Sequence, residues 1–153
     1  MEKIEAKNLD PQLKYDVAAH PGGENIQLCF ACGTCTAGCP VAGIDKDFDP
    51  RRVIRQVLLG MRKQVLGSEE IWKCAQCYCC TSKCPQNVMF RNVVRALREM
   101  AVKEEYVDAD LSNEVEKLDE FSQKIRREMV NVLLADRDKF KKLRDKVEES
   151  INA

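Results

Sequence analysis

The spacing of apolar residues along this chain predicts helices throughout. Apolar side chains recur at intervals of three and four residues from Val53 to Val65, from Val93 to Ala101 and from Leu111 to Ile151. This is the period of an amphipathic helix, which turns one face towards a core or a partner. We therefore predict an all-α chain.

Three polar residues mark where helices should begin. Asp10 and Asp49 each precede a proline, and an aspartate cap followed by proline at the first helical position is a common helix start. Ser68 is followed by two glutamates, which favours a further short helical turn. The first two helices should run over residues 10–19 and 50–67.

A further helix, from Asn87 to about Glu105, should have one apolar and one basic face. Its apolar face contains Val93, Val94, Leu97, Met100 and Ala101. Its basic face contains Arg91, Arg95 and Arg98. We interpret the basic face as a solvated surface, with an acidic partner as the alternative.

The segment after residue 108 contains neither glycine nor proline. Its apolar pattern predicts two consecutive amphipathic helices, broken near Ala135 and Asp136. These helices either fold back on the preceding part of the chain or dock a partner protein, and docking is our working assignment. We accordingly divide the chain into a first domain, residues 1–108, and a helical tail, residues 109–153.

Eight of the nine cysteines form a pattern that occurs twice. The first copy consists of Cys29, Cys32, Cys35 and Cys39, followed by Pro40, and the second of Cys74, Cys77, Cys80 and Cys84, followed by Pro85. Three cysteines at two-residue gaps and a fourth before proline form the ferredoxin run for [4Fe–4S] clusters. Because one short loop must wrap three thiolates around one cube, the two runs predict two [4Fe–4S] clusters.

The fourth cysteine of such a run usually binds the cluster of the other run. We therefore assign Cys29, Cys32, Cys35 and Cys84 to the first cluster, and Cys74, Cys77, Cys80 and Cys39 to the second. Gly33 and Gly38, between cysteines of the first run, are expected to adopt positive φ values where the backbone approaches sulfur. Trp72, just before the second run, is expected to pack over a cluster.

Two other uses of cysteine fit this pattern less well. Structural zinc typically takes four ligands as two separated pairs, and a disulfide scaffold would leave one of nine cysteines unpaired. A zinc-stabilised interaction module is kept as the alternative of a different class. Cys79, the ninth cysteine, is interpreted as a packed thiol, with an alternative ligand role left open.

Charge and hydropathy narrow the function further. Lys plus Arg and Asp plus Glu both number 25, and this zero net charge argues against general nucleic-acid binding. The first seven residues lack the apolar core of a secretory signal, and no stretch approaches the roughly 20 apolar residues that span a bilayer. We expect a reduced, cytoplasmic and anaerobic setting.

Helices that flank and separate two Cys-Pro runs resemble the α-helical ferredoxin fold of succinate dehydrogenase and fumarate reductase iron–sulfur subunits. The first run of the heterodisulfide reductase C subunit family is very similar to the stretch Cys29-Phe-Ala-Cys32-Gly-Thr-Cys35-Thr-Ala-Gly-Cys39-Pro40. The resemblance covers residues 10–105, and the tail is matched only as helical. It implies an α-helical ferredoxin-like domain with a C-terminal helical extension.

The resemblance also implies an electron-transfer role. Members of that family relay electrons from a flavin-containing A subunit to the catalytic B subunit, which reduces the mixed disulfide of coenzyme M and coenzyme B in methanogenesis. The family's cytosolic complexes perform flavin-based electron bifurcation coupled to hydrogenase or formate dehydrogenase. The alternative is the relay subunit of a fumarate reductase, of a glycolate or lactate oxidase, or of a sulfur-metabolism complex. We expect no catalytic residue on this chain, because it has no nucleophile–base pair, phosphate loop or dinucleotide fingerprint.

Overall fold

The computed structural model describes residues 5–152. Residues 1–4 and residue 153 lie outside the described residues. The first four belong to the predicted first domain and to the segment considered above as a secretory signal, and residue 153 belongs to the tail. Every regular element within 5–152 is a helix, so the prediction of an all-α chain is confirmed. The α-helices are α1 (Leu13–Ala18), α2 (Thr34–Ala37), α3 (Pro40–Ile44), α4 (Pro50–Leu58), α5 (Arg62–Leu66), α6 (Cys79–Lys83), α7 (Phe90–Lys103), α8 (Ala109–Ala135) and α9 (Arg137–Asn152). Short 3-10 helices span Ala6–Asn8, Ile26–Leu28 and Glu69–Trp72.

The chain divides into two compact units between Ser112 and Asn113, inside α8. The first unit contains all nine cysteines, and the second contains the rest of α8 and the whole of α9. The assignment of residues 1–108 and 109–153 as two domains stays a prediction.

The core of the first unit is built around α7. All five apolar residues predicted for one face of this helix are buried. They pack in one cluster with buried residues of α1, α4 and α5, namely Leu13, Val17, Val53, Ile54, Val57, Val65 and Leu66. Fully burying a side chain of this size contributes about 1.5–3 kcal/mol. The core therefore holds α7 firmly next to the segments that carry the cysteines.

Helix α4 begins as predicted. Asp49 lies at its N-cap, where its carboxylate accepts hydrogen bonds from the backbone N–H groups of Arg51 and Arg52. The same carboxylate also accepts a hydrogen bond from the hydroxyl of Thr36 in the first cysteine run. Burial of Asp49 raises its carboxyl pKa, but these hydrogen bonds outweigh that effect and lower the pKa overall. Asp49 thus joins a helix start to the first cysteine run.

Removing this cap should destabilise the first unit. We expect Asp49→Ala to lower the free energy of unfolding by about 1 kcal/mol, the usual cost of losing an N-cap side chain. Asp49→Asn keeps an acceptor oxygen and should cost less. Denaturant unfolding of both variants measures the difference, and equal losses would show that capping is not what Asp49 contributes.

The predicted helix over residues 50–67 is wrong as a continuous element, and Gly60 explains the break between α4 and α5. Gly60 has a φ of 75°, in the left-handed region. A Cβ at this position would lie 2.3 Å from the carbonyl oxygen of Asp10, whose own N–H donates to the Gly60 carbonyl at 2.7 Å. The helix stops because the segment before α1 crosses it in direct contact.

Helix α1 starts at Leu13, three residues after the predicted cap, Asp10. The Asp10 carboxylate accepts from the N–H of Gln12 at 2.9 Å and from the guanidinium of Arg62. Asp10 therefore caps a turn that precedes the helix and ties it to α5.

The second unit confirms the predicted pair of helices and the break between them. Asp136 separates α8 from α9 and accepts hydrogen bonds from the N–H groups of Asp138 and Lys139. Many large apolar side chains of this unit are exposed, including Leu118 at 60% and Phe121 at 57%. No helix in residues 5–152 is both long enough and apolar enough to cross a membrane.

Candidate iron–sulfur sites

The two cysteine runs fold into the same local structure. In each run a loop carries the first two cysteines and a helix of one turn, α2 or α6, carries the third. The fourth cysteine follows that helix, and its backbone is extended in both runs, at Cys39 and Cys84. The sequence repeat is therefore a structural repeat.

Unusual backbone conformations recur at matching positions of the two loops. The second and fourth residues after the first cysteine have positive φ in both runs: Ala31 and Gly33 in the first, Gln76 and Tyr78 in the second. Residues other than glycine rarely adopt this region, and such strain persists where function requires it. Only Gly33 was signalled by its residue type. The expectation for Gly38 is wrong, since its φ is −96°.

The first run shares a cavity with the last cysteine of the second run. Cys29, Cys32, Cys35 and Cys84 all line it, together with Cys80 and apolar side chains such as Ile54 and Phe90. The cavity holds about 360 Å³ of empty space, counting the part open to solvent. Two of these sulfurs accept backbone hydrogen bonds at 3.4 Å, Cys29 from Ala31 and Cys84 from Val88. The four thiols predicted for the first cluster are therefore brought together.

The second predicted set also lies close together. Burial raises the pKa of the Cys74 thiol, and the nearby thiols of Cys39 and Cys77 raise it further, whereas a hydrogen bond from the Gln76 backbone and the charge of Arg98 oppose this rise. Burial likewise raises the pKa of Cys80, and Cys74 adds to this effect. Cys39 thus interacts with the run that follows it by more than 30 residues in sequence. These pairwise interactions link the four cysteines of the second predicted set through Cys74, and the division of the eight ligands between two clusters stays a prediction.

The thiols differ in their access to solvent. Cys32 and Cys77, the second cysteine of each run, are exposed, whereas Cys74 and Cys80 are buried and the remaining predicted ligands are partly buried. Hydrogen bonds from Thr34 to the sulfur lower the pKa of Cys32, whereas burial raises the pKa of Cys35. Each run therefore reaches the surface at one matching cysteine.

Cys79 is not among the cysteines of the first cavity. It is partly buried at the start of α6 and lies beside Cys77, and the hydrogen bond between the two thiols raises the pKa of Cys79. The choice between a packed thiol and an alternative ligand stays open on this geometry.

Arg98 contradicts the predicted solvated basic face of α7. Its side chain is buried, at 5% exposure. It donates hydrogen bonds to the carbonyl oxygens of Ile71 at 2.9 Å, Trp72 at 3.0 Å and Cys74 at 2.9 Å. Its guanidinium carbon also lies 5.4 Å from the centre of the Trp72 ring, so Trp72 contacts this cation. Sequence periodicity alone gave no sign of these contacts, because they depend on a segment 24 to 27 residues away.

The other two arginines of that face lie nearer to solvent. Arg95 is exposed and pairs with Glu99 on the same helix. Arg91 is partly buried, with its guanidinium carbon 4.8 Å from the centre of the Tyr78 ring in the second cysteine run. The basic face is therefore solvated at Arg95 and packed against the second cysteine run at Arg91 and Arg98.

The thiol groups fit the predicted cofactor. Thiolate sulfur is the ligand that [4Fe–4S] clusters require, and the first cavity is lined by five thiols, the four predicted for the first cluster and Cys80, with no carboxylate or imidazole among its lining residues. Within residues 5–152, no three His, Cys, Asp or Glu side chains converge as they would on a single metal ion. Backbone N–H groups already point at Cys29 and Cys84, as expected for cluster-binding sulfurs.

Comparison with known families identifies the cysteine-bearing segment. Residues 24–88 match the 4Fe-4S dicluster domain family. This match covers both cysteine runs and confirms the expectation of two [4Fe–4S] clusters. Together with the helices described above, it also confirms an α-helical ferredoxin-like fold.

Curated relatives carry related names. The chain is 33% identical over 100 residues to the C subunit of the H(2):CoB-CoM heterodisulfide,ferredoxin reductase of Methanothermobacter thermautotrophicus, covering 65% of this chain and 53% of that protein. It is 39% identical over 100 residues to the C subunit of the Ferredoxin:CoB-CoM heterodisulfide reductase of Methanosarcina acetivorans, covering 65% and 39%. It is 40% identical over 79 residues to the C2 subunit of the H(2)/formate:CoB-CoM heterodisulfide,ferredoxin reductase of Methanococcus maripaludis, covering 52% and 42%.

These matches span about half the length of the curated relatives or somewhat less. They nevertheless confirm the resemblance that the first cysteine run indicated. Residues 24–88 of this chain match a 4Fe-4S dicluster domain, and the chain is similar to heterodisulfide reductase C subunits.

Proposed function

We propose that this chain is the iron–sulfur electron-relay subunit of a cytoplasmic heterodisulfide reductase complex. The observation that carries the proposal is that the fourth cysteine of each run lies close to cysteines of the other run. Cys84 lines the cavity of the first run, and Cys39 lies near Cys74 of the second. If each cluster is bound by cysteines from both runs, the two clusters are held close together. A relay needs this arrangement because electrons must pass from one cluster to the other.

The bound clusters would supply one-electron carriers, whose potentials depend on hydrogen bonds, charge and exposure. The chain itself contributes the ligands Cys29, Cys32, Cys35 and Cys84 for one cluster and Cys74, Cys77, Cys80 and Cys39 for the other. Buried apolar side chains such as Ile54 and Phe90 keep water from the inner side of the first cavity. The exposed cysteines, Cys32 and Cys77, mark where electrons would enter and leave.

The partners we propose are a flavin-containing subunit, which donates electrons, and a catalytic subunit that reduces the coenzyme M–coenzyme B disulfide. Three relatives have names that specify this disulfide, and two of those names also specify hydrogen. Hydrogenase or formate dehydrogenase would supply electrons through the complex. Substrate chemistry would take place on the catalytic subunit, because this chain contributes ligands rather than a reacting group.

Anoxic electron transfer tests this function. The purified chain should carry about eight irons, the sum of two four-iron clusters. Once reduced, its clusters should be reoxidised by the catalytic subunit when the coenzyme M–coenzyme B disulfide is present, and not when the disulfide is omitted. Clusters that stay reduced in both cases would contradict the proposal, and a colourless, zinc-loaded protein would favour the interaction module.

We also propose that the helical tail docks another protein of the complex. Leu111, Leu118, Ile125 and Val132 recur every seven residues along α8. A seven-residue apolar repeat is the spacing with which helices pack side by side. Leu118 and Ile125 are 60% and 46% exposed, so this row is free to bind another helix.

Charges placed on this row should prevent assembly. We expect the double variant Leu118→Glu with Ile125→Glu to keep its iron but to fail to co-purify with the flavin-containing and catalytic subunits. The matched control carries glutamate at Asn113 and Gln123, two exposed polar positions on other faces of α8. Size-exclusion chromatography with iron analysis checks both proteins, and intact assembly of the first variant would exclude docking through this row.

A further inference from the structure

We propose that Arg98 raises the reduction potential of the second cluster by holding a buried positive charge beside Cys74. The inference deepens the proposed function, on which it rests, because it concerns the second of the two clusters. The inference follows from the contacts of the Arg98 side chain, which the apolar pattern of α7 had assigned to a solvated face.

The position of Arg98 is fixed from several sides. Helix α7 carries it, and α7 lies at the centre of the core, with Val94, Leu97 and Ala101 buried around it. The guanidinium donates to the carbonyls of Ile71 and Trp72, the last two residues of the 3-10 helix Glu69–Trp72. Positively charged side chains stabilise helix ends in this way because the last carbonyls lack partners within the helix. The charge is thus held by the core and by the segment that leads into the second run.

The third hydrogen bond brings this charge to a predicted ligand. The Nη2 atom of Arg98 lies 2.9 Å from the carbonyl oxygen of Cys74, and both residues are buried. Charges interact more strongly when they are removed from solvent, since both the dielectric constant and salt screening are lower there. Arg98 should therefore act on the second run much more strongly than an exposed cation would.

The sign of the effect follows from the chemistry of the cluster. Reduction adds one negative charge to a cluster that thiolates already make electron-rich. A fixed positive charge nearby stabilises the reduced form more than the oxidised form, and net charge is one of the factors that set cluster potentials. Removing the charge should therefore lower the potential of the second cluster and leave the first unchanged.

The first cavity has a different environment. The basic side chain that lines it is that of Arg51, which is exposed. Solvent screens an exposed charge. The two clusters would therefore differ in reduction potential. The Cys74 cluster would have the higher potential and would be reduced first.

Potentiometric titration of the full chain, followed by electron paramagnetic resonance, tests the proposal. In Arg98→Gln we expect one of the two midpoint potentials to fall by at least 59 mV, which is a tenfold change in the one-electron equilibrium. Arg98→Lys keeps the charge but cannot reproduce the hydrogen-bonded fork, so its shift should be smaller and of the same sign. The matched control, Arg95→Gln, removes an exposed arginine from the same helix and should leave both potentials unchanged.

Each outcome decides the question. Unchanged potentials in an Arg98→Gln protein that retains about eight irons would show that Arg98 only holds the chain in place. Where the glutamine variant loses a cluster, Arg98→Met, which fills the same buried space without a charge, is titrated in its place, and a potential identical to that of the original protein would overturn the proposal. Loss of the second cluster from both variants would also overturn it, since Arg98 would then be required to build the site. A wild-type chain without eight irons would instead refute the proposed function.

Discussion

Substituting Cys84 with alanine should remove the cluster bound by the other cysteine run. We expect Cys84→Ala to reduce the iron content from about eight to about four per chain, because the run usually gives its fourth cysteine to the partner cluster. In the structure Cys84 lines the same cavity as Cys29, Cys32 and Cys35, although it follows Cys80 in sequence by only four residues. Iron analysis of anoxically prepared protein measures the loss.

Double variants show which cluster is lost. If Cys84 and Cys29 bind the same cluster, Cys29→Ala combined with Cys84→Ala should still retain about four irons, because the second change removes nothing more. If Cys84 instead belonged to the cluster of its own run, that double variant would lose both clusters. Cys74→Ala combined with Cys84→Ala should behave in the opposite way and contain almost no iron. Cys79→Ala serves as the control and should keep about eight irons, unless Cys79 is a ligand.

The cysteine spacing could be interpreted from the sequence because the chemistry that it predicts is local. Three thiolates must bind one cube from one short loop, so their spacing is fixed in the sequence itself. The same holds for the cap at Asp49, whose acceptor and donors lie within three residues of one another. The break between α8 and α9 was also visible locally, since Asp136 caps the next helix.

Features that depend on distant segments could not be predicted in this way. The position of Arg98 on α7 suggests a surface residue as long as the helix is considered alone. The carbonyls that bury Arg98 come from residues 71–74, which the periodicity of α7 does not reveal. The positive φ values of Ala31, Gln76 and Tyr78 have no signal in residue type, because alanine, glutamine and tyrosine are not selected for that conformation. These conformations become intelligible only when both runs are seen to adopt them at matching positions.

The break at Gly60 depends both on a local sequence signal and on a contact with a distant segment. Apolar positions at helical spacing continue through it, from Val57 to Val65, and this continuity favoured one helix. A single glycine inside a helical pattern is a weak signal, since it is tolerated at a cost of about 1 kcal/mol. The contact that stops the helix comes from Asp10, 50 residues earlier in the sequence. Tertiary contact therefore overrides the local pattern at this point.

That contact makes Gly60→Ala a strongly destabilising substitution. The left-handed conformation costs a residue other than glycine about 1–2 kcal/mol. The new Cβ would also lie 2.3 Å from the Asp10 carbonyl oxygen, and forcing backbone apart in a packed site costs about 1–3 kcal/mol. The sum predicts a free energy of unfolding lower by about 2–5 kcal/mol.

Gly43→Ala provides the matched control for Gly60→Ala. Gly43 lies in α3, no atom lies within 4 Å of the position that its Cβ would occupy, and its φ is not positive. Alanine is favoured over glycine in a helix by about 1 kcal/mol, so this variant should be as stable as the original chain or slightly more stable. Denaturant unfolding of the two iron-loaded proteins gives the comparison. Equal stabilities would mean that the Asp10 segment does not cross the chain at Gly60, and that α4 and α5 form the single helix that their apolar pattern favours.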